Sequence, residues 1–74
     1  MRKLYAATVM MQKVEGNRVD TKPVLSLLWG SSLDEAKKDA AFSASVTLPD
    51  MKVIETQAVQ VPDDVIRTAA SELP

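Results

Sequence analysis

The chain has 74 residues, nine Lys and Arg against ten Asp and Glu, and neither cysteine nor histidine. Missing cysteine excludes disulfide scaffolds, cysteine-ligated metal centres and thiol catalysis, and missing histidine removes the commonest general base and metal ligand. A net charge of −1 lacks the basic footprint of a sequence-independent nucleic-acid binder, so nucleic acid is not the expected partner.

The first predicted element is a hairpin over residues 3–29. Lys3 to Val14 reads as a strand, and Glu15-Gly16-Asn17-Arg18 as its turn, because Gly and Asn tolerate the positive φ of a tight primed turn. Val19 to Trp29 returns as a second strand. Pro23 cannot donate a ladder hydrogen bond, which places this strand at an edge or a bulge. With Gly16-Asn17 as a two-residue loop, cross-strand partners have numbers summing to 33. One face then pairs Leu4 with Trp29, Ala6 with Leu27 and Thr8 with Leu25. The other pairs Tyr5 with Leu28, Val9 with Val24 and Met11 with Lys22. Lys13 opposite Asp20 supports this register through opposite charge.

Gly30-Ser31-Ser32 breaks the strand. Ser32 and Glu35 fit a capping box, which predicts a helix from about 33 to 46. Leu33, Ala36, Ala40 and Ala44 fall in one stripe, and the alanines let the helix approach a sheet closely. Phe42 points away from that stripe and is expected to wrap round the helix end over the sheet margin, the alternative being that it stands exposed and contacts something. Thr47-Leu48-Pro49-Asp50 is a turn. A third strand follows from about 51 to 61, with Val53, Val59 and Val61 on one side and Ile54 and Ala58 on the other. Pro62-Asp63-Asp64 opens a short helix, about 63–72, with Val65, Ile66, Ala69, Ala70 and Leu73 as its apolar stripe.

These elements predict a single small α+β domain, β-β-α-β-α. Its three-stranded antiparallel/mixed sheet has the order 2-1-3, with the main helix packed on one face. The face bearing Trp29, Leu27 and Leu25 is the richer in large apolar residues, so the first helix is expected there. The opposite face, with Tyr5, Val9, Met11, Val24 and Leu28, becomes the candidate interface, covered by the last helix or by another molecule.

No catalytic, cofactor-binding or metal-binding residue is assigned. Asp34/Glu35 and Asp63/Asp64 stand where helix N-termini favour negative charge, and Ser31-Ser32 has no base beside it. No apolar run approaches the roughly 18 residues of a membrane span, and no cleavage site follows Leu4 to Met11, so a cytoplasmic chain is expected. The expected function is that of a non-enzymatic interaction protein. It would act as a homodimer or on a protein partner, in the manner of small phage or mobile-element proteins that modulate host machinery. The alternative is a small-ligand or nucleic-acid binding module on the hairpin face, using Tyr5 with Lys3, Lys13, Arg18 and Lys22.

Overall fold

The structure is a computed structural model that describes residues 2–72. Leu73, assigned above to the last apolar stripe, lies outside the described residues. The order is β1 (Lys3–Glu15), β2 (Arg18–Gly30), α1 (Leu33–Thr47), β3 (Lys52–Gln60) and α2 (Asp63–Ser71). The sheet order is β2-β1-β3, with β1 antiparallel to both neighbours.

The hairpin follows the predicted register along its whole length, from Glu15 opposite Arg18 to Leu4 opposite Trp29. Gly16 takes φ +59°, the left-handed conformation that a side chain disfavours. β2 is an edge strand, which accommodates Pro23. β3 joins the other side of β1, with Ala6 opposite Val59 and Thr8 opposite Gln57, and the register shifts between Met10 and Met11. Met10 faces Glu55 and Met11 faces Val53, so Ile54 is the extra residue of a bulge. That bulge corrects the expected grouping of Val53 with Val59: Val53 pairs into the same face as Met11, and Val59 into the opposite one. Beyond β3 the Val61 N–H donates to the Leu4 carbonyl at 2.8 Å, tying the end of the sheet to its start.

α1 starts where Ser32 Oγ accepts the Glu35 N–H at 3.1 Å and ends where the Leu48 N–H reaches the Ala44 carbonyl at 2.8 Å. Glu35 does not complete the box by returning to Ser32; its carboxylate accepts from the Ser31 hydroxyl instead. Ala36, Ala40 and Ala44 face the sheet and are fully covered. Phe42 points away and is 73% exposed, so it does not wrap over the sheet margin.

α1 does not lie on the richer face. It covers Tyr5, Ala7, Val9 and Met11 of β1, with Val24, Leu28 and Ala58 packed around them. The governing factor is the connection, not the apolar content. A right-handed crossover from β2 over β1 to β3 passes over this side of the sheet only. Among the described residues seven hydrophobic residues are buried, and four of them are alanine. Such a core is thin, and chains of this size ordinarily need a staple or a partner beside it. The chain measures 48 × 27 × 16 Å, with a radius of gyration of 14.7 Å. A compact 74-residue domain would have about 11 Å. It is a two-layer slab, sheet and helix, with α2 carried at one end.

Candidate interaction face

The residues expected at an interface, Tyr5, Val9, Met11, Val24 and Leu28, are brought together by the register, but beneath α1. Tyr5, Val9 and Met11 are buried there, and Val24 and Leu28 are half-buried. They belong to the core of the single chain, and three of the five are almost wholly removed from solvent. The last helix does not cover them; α1 does.

The surface left open is the other side of the sheet. Leu25 is 75% exposed, Leu27 70%, Val59 65% and Trp29 53%. Twelve hairpin positions point this way, alternating from Leu4 to Val14 on β1 and from Val19 to Trp29 on β2. None of the twelve is charged. Every charged residue of the two strands, Lys3, Lys13, Glu15, Arg18, Asp20 and Lys22, stands on the α1 side. At the usual quarter of residues charged, a water-facing set of twelve would carry about three. In the hairpin the charges thus stand on the α1 side, exposed or half-buried toward the strand ends, and none stands on the bare side.

The relief of this face is uneven. Ala6 and Thr8 are small, and they lie at the floor of a trough of about 570 Å³ between Leu25 and Leu27 on β2 and Val59 on β3. The exposed leucines stand beside it as a ridge. On β3 the register places Glu55 opposite Met10 and Lys52 opposite Gln12, two charges of opposite sign on the outer strand.

α2 borders the same face. Its N-cap is Pro62, with Asp63 and Asp64 in the first turn, and none of its residues is buried. Val65, Ile66, Ala69 and Ala70 line an open groove of about 450 Å³ together with Leu4 and Leu27. At the same corner a second cleft is lined by Arg2, Lys3, Trp29 and Arg67. The Arg2 guanidinium there donates to the Trp29 carbonyl at 2.9 Å.

The residues considered for other chemistry are dispersed. Tyr5 is buried on the α1 side of the sheet and offers no open ring for stacking. Lys13 pairs with Glu15 at 2.9 Å, and the hydrogen bond to that carboxylate raises its pKa. Arg18 pairs with Asp20 at 3.3 Å. The hydrogen bond from Ser31 holds the Glu35 carboxyl below the usual glutamate range. Among the described residues no group of three or more Asp or Glu is arranged to hold a metal ion. Among them, too, no helix is long and apolar enough to cross a membrane.

Weight of large apolar residues alone would place α1 on this face; the distribution of charge marks it instead as the open one. Both faces of the hairpin are apolar near α2, but only one is free of charge along its length. No protein-family model, curated protein or solved structure matches the chain.

Proposed function

We propose that the chain is a non-enzymatic interaction module that works by protein–protein contact through the open face of its sheet, with itself or with a protein partner. The observation that carries this reading is the uncharged set of twelve hairpin positions, on which Leu25, Leu27 and Trp29 stand exposed. A contiguous apolar surface of this extent marks an interaction site in a soluble protein. The thin alanine-rich core supports the same reading, since a contact on this face would supply the burial the single chain lacks.

Trp29 is the sole tryptophan and sits on the face itself, so it reports on the contact directly. The chain is labelled with 5-fluorotryptophan, and its ¹⁹F resonance is followed in purified protein across a concentration series and then in cell extract. A line that shifts or broadens in either setting supports contact through this face. A line unchanged in both overturns the reading.

A further inference from the structure

We infer that the molecule covering the open face is a second copy of this chain, packed sheet to sheet about a two-fold axis with each α2 gripping its partner. The inference rests on the protein-contact reading above and names the partner.

Three observations select a second copy. The first is shape. The face carries both a ridge, Leu25 and Leu27, and a trough floored by Ala6 and Thr8. A two-fold axis brings the ridge of each copy to the trough of the other, because an isologous interface must be complementary to itself. The second is charge. A self-contact sets like residues against each other's surroundings, and like charges would repel. The twelve hairpin positions hold none, and the charges on β3, Lys52 and Glu55, are of opposite sign. The third is the thin core. Among the described residues seven hydrophobic residues are buried, four of them alanine, so covering this face adds stability of which the single chain has little. Copies of the chain are present wherever it is made.

Area explains the part played by α2. Strands of 13, 13 and 9 residues at about 3.3 Å per residue and about 4.8 Å apart give a face of about 550 Å². Two such faces bury about 1,100 Å², just under the roughly 1,200 Å² at which stable interfaces begin. A nine-residue helix adds about 13 Å by about 10 Å from each copy. The total then reaches about 1,400 Å², inside the stable range. α2 has the surface for this, since Val65, Ile66, Ala69 and Ala70 border an open groove and none of the helix's residues is buried.

The test is sedimentation equilibrium of the full chain from about 1 μM to about 1 mM, with Leu27→Glu and Ala69→Glu measured alongside. The expected result is a wild-type mass rising to twice 8.1 kDa. Leu27→Glu should stay a monomer, and Ala69→Glu should weaken association at least tenfold. Circular dichroism confirms that each variant keeps its helices. If a variant is unfolded, Leu25→Lys or Ala70→Lys takes its place. A wild-type monomer throughout overturns the inference. If the ¹⁹F line of Trp29 then moves only in extract, a foreign protein is the occupant and the contact reading survives. A dimer that tolerates Leu27→Glu overturns the choice of face, and one indifferent to Ala69→Glu overturns the grip of α2.

Discussion

Leu27→Ala separates a covered face from a bare one by free energy. In the single chain Leu27 is 70% exposed, so about a third of its side chain is buried. Full burial of a leucine is worth about 1.5–3 kcal/mol, so truncation in an isolated chain should cost only about 0.5–0.9 kcal/mol. Covered by a partner, the same side chain is part of a packed interior, where Leu→Ala costs about 2–5 kcal/mol. The assay is urea unfolding followed by circular dichroism at two protein concentrations a hundredfold apart. For a dimer, dilution alone should remove about 2.7 kcal/mol of apparent stability from the wild type. The Leu27→Ala deficit should be about 2 kcal/mol or more at high concentration and shrink toward the smaller figure on dilution. A deficit under about 1 kcal/mol at both concentrations, with an unmoved wild-type midpoint, would refute the reasoning.

Three further outcomes test the fold and its local chemistry. Met11 is wholly buried under α1, so Met11→Ala should cost about 2–5 kcal/mol, out of the roughly 4–11 kcal/mol expected for a chain this long. Denaturant unfolding measures it, and a loss under about 1 kcal/mol would mean that α1 packs elsewhere. Gly16→Ala meets no atom within 4 Å, yet φ +59° should still make it cost about 1–2 kcal/mol, read as a lower midpoint in a thermal melt. Ser31→Ala removes the hydroxyl that holds Glu35 below the usual glutamate range. A depressed folded pKa gives stability that is present above the unfolded value and is lost as pH falls through the folded one. ¹³C-detected titration should therefore show the Glu35 midpoint rising in the variant, and its acid-side stability loss starting from a smaller plateau. An unmoved midpoint would discard the Ser31 bond.

Much of the fold is legible in the residues. The Gly16-Asn17 loop dictates the whole β1–β2 register, and Ser32 marks the start of α1. Pro23 marks β2 as an edge strand. The side taken by α1 is legible too, but through chirality and not hydrophobicity. A two-residue loop makes Glu15 and Arg18 exchange both main-chain hydrogen bonds, so the odd residues of β1 aim their peptide groups at β2. With β3 on the other flank, L chirality and a right-handed crossover then set α1 over the odd side chains. Weighing Trp29, Leu27 and Leu25 against Tyr5, Val9 and Met11 gives the opposite answer, because the bare face has the larger side chains. The charge-free alternation of the bare face is visible in the same register and points to the site. Two features leave no local mark. Nothing between Lys52 and Glu55 signals the bulge at Ile54, since neither Gly nor Pro stands there. The position of α2 depends on the short joint at Val61 and Pro62, where the Val61 N–H reaches back to the Leu4 carbonyl, a long-range tie that no neighbouring residue signals.

The central place of β1 has a consequence for how the chain is made. The strand synthesised first is the one that needs a neighbour on each side, and its second neighbour comes almost last, with Ala6 waiting for Val59. Pairing over such separations carries a loop-closure cost that local structure does not repay early, so folding is slowed. Until β3 arrives, the nascent hairpin exposes an unpaired β1 edge and two apolar faces, a combination that favours aggregation. The charges gathered near its turn, from Lys13 to Lys22, together with Lys3 at its open end, are the solubilising groups it has during that interval.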